Sequence, residues 1–338
     1  MINQPIFFER NRVFRVYLGG KLFHDFFGDA PEDGFEPEEW IASGVRALNK
    51  VQKSEHEGIS KPIGFKEYFN ELIERYPTEL LGSKGKLRIL VKVLDSAIRL
   101  PAQAHPDRAF SRVHFNSEYG KTESWLILAT RPGAKLFFGF KDGVDEQAFR
   151  AAIEASEYDR NAMEKLLCEI EPKVGEMYLV PAKTAHAIGA GCLILEIQEP
   201  TDFTVQPERY CGDYRLSDHE MYLTLNKEDA IGCFTFGKAP DSKCEPVQTY
   251  VDNSLMIEEL IGKDKTDCFI INRITLTGGC YTPDIPDSYG IYIVTDGEAT
   301  VIGEGYEKKI KKGDYFFVGA CAMGKYKIEG NATLVECY

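Results

Sequence analysis

Two short stretches of this 338-residue chain are written to one plan. Residues 174–180 (VGEMYLV) and 312–318 (KGDYFFV) each set a glycine and an acidic residue ahead of an aromatic, apolar run. Glycine supplies the backbone freedom of a tight turn, and the run that follows has strand composition. A chain that carries this turn-and-strand unit twice is restricted to folds built from repeated β-modules. Further strands are expected over 87–95, 123–128, 136–140 and 192–197, and again over 269–275, 289–295, 298–303 and 308–310. Asp296–Gly297 reads as a type I′ hairpin between two of them. Short connections make most of the pairs antiparallel.

Helical spacing interrupts the pattern in three places. Phe65, Phe69, Leu72, Ile73 and Tyr76 form a one-sided stripe that predicts a helix over 65–81. Two shorter helices are expected over 145–156 and 160–168, while 25–38 and 106–120 read as loops. The pattern restarts near residue 240, which gives two domains, 1–240 and 241–338. Both are mainly β, and the first carries the helical insertions. No histidine occurs after His219, so the second copy is expected to be metal-free, with a structural or lid-like role.

The chemistry-bearing residues lie in the first domain. Gln103 and His105 are two apart in an extended-looking segment, so both point the same way. Glu123 opens one apolar strand, and His186 precedes another. Two imidazoles, a carboxylate and an amide oxygen make a set that zinc accepts, and iron(II) or manganese could use the same ligands. Taken singly, each is more often a hydrogen-bonded core or loop residue than a ligand. Lys121 stands two before Glu123, on the same side if strand alternation holds there. Lys92 sits inside the apolar run LVKVLD, where a lysine is unusual unless it faces a polar cavity. Burial would depress its pKa, suiting a base or a phosphate contact. The alternative for Lys92 is a strand-edge lysine that snorkels to water.

The wording around these residues lifts them as a set. QAHPD (103–107 with Gln103 and His105), YGKTE, VPAKTAHAIG and LEIQ stand in an order and spacing that closely resemble the type I mannose-6-phosphate isomerase family. LVKVLD, EWIASG and the opening segment 11–22 are similar too, and the resemblance covers roughly residues 5–240. It implies a cupin fold, that is, a jelly-roll β-barrel with a second cupin-like β-domain behind it. It also implies a divalent metal, zinc first, on Gln103, His105, Glu123 and His186, with Lys121 beside them. The implied activity is aldose–ketose isomerisation between mannose 6-phosphate and fructose 6-phosphate. A change of sugar, to another phosphorylated or an unphosphorylated one, is a second reading. A sugar-binding cupin without turnover is a third, and iron-dependent oxygenation a distant fourth. Two positions depart from the family pattern. The serine that holds the phosphate is here Pro101, which has no donor, and the clamping arginine aligns with Gln206. Arg209, three residues on, is the candidate to take its place.

Composition sets the remaining bounds. A formal charge of −13 excludes nucleic acid as a default partner, because phosphate backbones attract Lys and Arg. No run approaches the length of a membrane span, and the N-terminal stretch lacks the apolar core of a signal peptide. Nine cysteines without a CxxC read as reduced thiols, so a cytoplasmic location is expected.

Overall fold

The computed structural model describes residues 2–50, 52–83, 85–239 and 241–338. Two large antiparallel sheets dominate it. The first runs Lys243–Cys244, Met177–Val180, Glu123–Thr130, Cys192–Gln198, Leu90–Ser96, Glu38–Ile41 and Arg12–Val13 in spatial order. Its strands are buried on both faces, which is why they read as continuous apolar runs. Strand alternation divides their side chains between two cores. Val91, Val93, Leu126, Leu195 and Ile197 pack with Ile271, Ile291, Phe317 and Val335 of the second sheet. Leu94, Trp125, Ile127 and Ile194 face the other way, against Leu136, Phe138 and Ile188 of a three-stranded sheet. That sheet is built from Leu136–Phe140, Leu167–Ile170 and His186–Ile188. Lys92, Glu123 and Glu196 share this second face, so the same pleat that buries Trp125 aims them into the barrel.

The second sheet runs Ile6–Phe7, Tyr315–Val318, Gly290–Gly303, Tyr326–Cys337, Ile271–Tyr281, Leu255–Ile261 and Val247–Val251. Tyr306–Lys311 also pairs with Gly290–Gly303, and the sheet closes on its own core of Leu276, Tyr292, Phe316 and Leu334. Strands cross the expected domain boundary in both directions. Ile6 and Phe7 pair with Phe317 and Phe316, while Lys243 and Cys244 pair with Tyr178 and Met177. Pro240 itself lies outside the described residues.

The repeated motif is a repeated structure. Gly175 and Gly313 take φ of 88° and 87°, left-handed values that favour glycine. In each turn the acidic side chain accepts from the backbone N–H three residues earlier. Lys173 donates to Glu176 Oε2 at 2.9 Å, and Lys311 to Asp314 Oδ2 at 2.9 Å.

Four local expectations change. Asp296–Gly297 is not a hairpin but a continuous part of one strand, Gly290–Gly303, just past a bulge at Thr295 where the register against Tyr326–Cys337 slips between Val294 and Asp296. Gly297 has φ 73°, and a Cβ there would lie 2.2 Å from the Asn331 carbonyl oxygen, so the left-handed glycine serves close strand approach instead of reversal. The stripe over 65–81 breaks into Phe69–Arg75 and Pro77–Leu81, because Pro77 disfavours helical backbone at Tyr76. Of the segment 160–168, only a single turn, Glu164–Leu166, is helical; the chain then enters the strand Leu167–Ile170, drawn into pairing by Leu136–Phe140. The expected loop 106–120 contains the helix Arg108–His114, capped by Asp107, whose side chain accepts from the Phe110 N–H.

Candidate metal centre

Backbone pairing brings the site together before any side chain does. Gln103 and His186 exchange both hydrogen bonds, each 2.9 Å from N to O, so two segments far apart in sequence are fixed side by side. His105 follows two residues beyond that bridge, with its carbonyl accepting from Lys183 N–H at 2.7 Å. Glu123 lies across the sheet from Val180 and Gln198. The result is a cluster of His105, Glu123 and His186 in which one ligand atom from each lies within 4.8 Å of the others. Glu123 Oε2 is 3.0 Å from His105 Nε2, and Oε1 is 3.3 Å from His186 Nε2. The Gln103 amide nitrogen stands 3.3 Å from His186 Nε2, and turning the amide would offer its oxygen at the same place.

The surroundings orient both rings. His105 Nδ1 is 2.9 Å from the Phe203 carbonyl oxygen, and His186 Nδ1 is 2.8 Å from that of Thr184. Carbonyls only accept, so each Nδ1 carries a proton and each Nε2 is the ring nitrogen turned inward. Trp125 Nε1 donates to Glu123 Oε1 at 3.1 Å. Among these acceptors sits a positive charge: the Lys121 ammonium bonds Glu123 and lies 2.7 Å from His105 Nε2. Burial, then the nearby Lys121, pushes the His105 imidazole down to about 3. Burial alone would raise the Glu123 carboxyl, but Lys121 and His105 bring it well below the usual range. Two imidazoles with their Nε2 atoms turned inward and an ionised carboxylate, already gathered around a cation, fit a divalent ion.

A cavity of about 660 Å³ is lined by Gln103, Lys121, Lys92 and Glu196, and it reaches the cluster through Gln103 and Lys121, the neighbours of His186 and of His105 and Glu123. Lys92 is buried in an interior strand, so it is not an edge lysine reaching for water. Its expected pKa depression does not occur. Burial does act in that direction, but Glu196 at 3.3 Å and Glu38 at 3.9 Å outweigh it and raise the value. Lys92 is therefore a fixed cation rather than a base. Arg209 is also placed differently from expectation. It donates to Glu157 and to the Leu216 carbonyl, pairs with Asp218, and does not line the cavity. The position it was to replace, Gln206, does line the cavity, and its amide donates to the Glu220 carbonyl at 3.0 Å.

The cavity's arginine is Arg15. Its guanidinium donates to Glu38 at 2.9 Å, Asn49 at 3.0 Å and Asp202 at 3.0 Å. Burial would raise the Glu38 carboxyl, but Arg15 and then Lys92 lower it to about 2. A carboxyl depressed on folding stabilises above its unfolded value, and that contribution is lost as pH falls toward the folded one. Glu38→Gln should therefore flatten the acid-side loss of stability between about pH 4.5 and about pH 2, read as urea midpoints across that range. An unchanged slope would place the acid lability elsewhere.

No family model matches the chain. Individual proteins do. A probable mannose-6-phosphate isomerase of Bacillus subtilis, GmuF, is 29% identical over 341 residues, with 99% of both chains covered. The mannose-6-phosphate isomerase of Streptococcus mutans is 31% identical over 237 residues, 70% of this chain and 69% of its own. The chain belongs to the mannose-6-phosphate isomerase family. Solved structures of that family share the fold. The Bacillus subtilis mannose 6-phosphate isomerase superposes with a TM-score of 0.79 at 24% identity over 99% of both chains. A mannose 6-phosphate isomerase bound with zinc and yttrium gives 0.74 at 18% over 99% of both.

Within the family frame, two cavity residues escaped the sequence reading. Glu196 lay in plain view inside LEIQ, a lone carboxylate in an apolar strand, and the reasoning applied to Lys92 would have found it. It is 3% exposed, and burial raises its pKa. Arg15 had a weaker signal. It sits between Val13 and Tyr17 in a short alternating segment, and nothing local indicates that Asp202 will meet it. Among the described residues no helix is long and apolar enough to cross a membrane, and all nine cysteines are free.

Proposed function

We propose that this protein is a metal-dependent isomerase that interconverts mannose 6-phosphate and fructose 6-phosphate, with Gln103, His105, Glu123 and His186 holding the ion. The convergence of His105, Glu123 and His186 directly behind Gln103 and Lys121, which line a sugar-sized cavity, carries the reading. The names of the relatives supply mannose 6-phosphate, and moving its carbonyl from C1 to C2 gives fructose 6-phosphate. Zinc is the first choice of metal, since it suits two imidazoles and a carboxylate, with manganese or iron(II) as alternatives. When bound, the ion supplies Lewis acidity to sugar oxygens that gain negative charge.

The rest of the chemistry belongs to the chain. In the aldose-to-ketose direction the C2–H bond breaks and a C1–H bond forms, while O2 loses a proton and O1 gains one. A cis-enediolate lies between. Lys92 and Lys121, each beside a carboxylate, bring their amino groups to the inner wall, where that anion develops. Glu196 is the cavity carboxylate with an oxygen, Oε1, that carries no hydrogen bond, although Lys92 stands at ion-pair distance. It is our candidate to carry the proton between C2 and C1. The histidine-free domain, 241–338, lends its sheet to the shared core behind the site and takes a supporting role.

The test is proton NMR in deuterated water, with zinc or manganese supplied, on mannose 6-phosphate and fructose 6-phosphate. Conversion with deuterium entering the carbon skeleton is expected. Binding without conversion or exchange would replace the isomerase with a sugar-binding protein.

A further inference from the structure

The far end of the cavity is built differently from its metal end. A phosphate monoester carries close to two negative charges and is normally met by uncommitted Arg or Lys, or by a nest of backbone N–H groups. Among the described lining residues the Arg and Lys cations are Arg15, Lys50, Lys92 and Lys121, and each is already matched by a carboxylate. Lys92 is held by Glu196, Lys121 by Glu123, and Arg15 by Glu38 and Asp202. Lys50, half-exposed at the mouth, stands 3.6 Å from Glu220. The Arg15 fork is spent on Glu38, Asn49 and Asp202, which leaves little of it for an anion. Asp202 and Glu220 themselves line the cavity, so a phosphate placed there would face carboxylates.

Pro101 and Gln206 deepen the contrast. Pro101 lines the cavity and brings no donor, and the Gln206 amide is already given to a backbone carbonyl. Hydroxyl groups would meet the same wall favourably. Carboxylates accept from them, and Phe14, Phe115 and Tyr214 add apolar surface of the kind that covers sugar rings. Removing a dianion from water without new positive partners is costly, whereas a hydroxyl needs only an acceptor.

We infer that the cavity accepts the unphosphorylated sugar as a substrate in its own right, with the 6-phosphate adding little to recognition. This rests on the isomerase reading above. Free mannose and fructose are then interconverted by the same proton transfer, with no co-reactant. Glu220 and Asp202 are the residues that deny the phosphate its usual advantage.

Steady-state kinetics of the zinc-supplied protein on mannose and on mannose 6-phosphate give the primary measurement. We expect kcat/KM values for the two sugars within about tenfold of each other. Calorimetry with fructose and fructose 6-phosphate gives a readout independent of turnover, with dissociation constants in the same narrow ratio. Glu220→Gln keeps the helix-capping geometry of its site and should raise the preference for the phosphorylated sugar several-fold. A preference for the phosphate well beyond tenfold, lost in Lys50→Met, would overturn the inference and make Lys50 the phosphate anchor, while leaving the isomerase reading intact. A ratio unmoved by Glu220→Gln would also count against it. Absence of turnover on either sugar would instead overturn the isomerase reading.

Discussion

Replacing His105 with alanine is expected to remove bound metal and turnover together. The ring is 1% exposed, its Nε2 lies 3.0 Å from Glu123, and its Nδ1 is anchored on the Phe203 carbonyl. Loss of groups that merely orient metal ligands costs about 10- to 100-fold in metal affinity, so loss of a ligand should cost more. Without the ion, the Lewis acidity it would supply to the sugar oxygens is lost, and kcat should fall on the order of 10³-fold or more. The unpaired Phe203 carbonyl would cost about 1 kcal/mol of stability, too little to unfold the domain. Elemental analysis beside the NMR assay decides the matter, with circular dichroism as the folding control. A variant that keeps its metal, or more than a tenth of its activity, removes His105 from the ligand set.

Much of this site was legible in the chain because its parts obey local rules. Gln103 and His105 share a side by strand alternation, and the rule that pairs Lys121 with Glu123 needs only a count of two. The repeated Gly-acid turn was legible for the same reason, since one left-handed glycine and one carboxylate define it completely. What resisted were choices settled by distant partners. Gly297 suits a hairpin turn and a closely approached strand equally well, and only the neighbouring strand through Asn331 and Ala332 selects the strand. Residues after 166 have acceptable helix composition, but the edge offered by Leu136–Phe140 draws them into a strand. Lys92 shows the electrostatic version. Its burial could be read from the run around it, yet the sign of its pKa shift depends on Glu38 and Glu196, carried by the two strands that flank its own. Arg209 failed for a similar reason, because Glu157 and Asp218 offer it nearer carboxylates.

Glu196→Gln is the second change with a large expected effect, and it separates proton transfer from metal binding. The amide matches the carboxylate in size, and the strand Cys192–Gln198 is held by neighbours on both sides, so the fold should persist. Glutamine cannot take the C2 proton, and loss of a positioned acid–base group costs about 10²- to 10⁴-fold in rate. Metal content should stay at the wild-type level, because Glu196 is not among the clustered ligands. Solvent deuterium should no longer enter the sugar. Burial holds the Glu196 carboxyl above its ordinary value, so the wild-type kcat/KM profile should fall on its acid side above the usual carboxylate range. That limb should vanish in the variant. A residue that only anchored Lys92 would behave otherwise, with lowered stability, a preserved acid limb and exchange that slows without stopping. Those results would move the proton-carrying role to another group on the cavity wall.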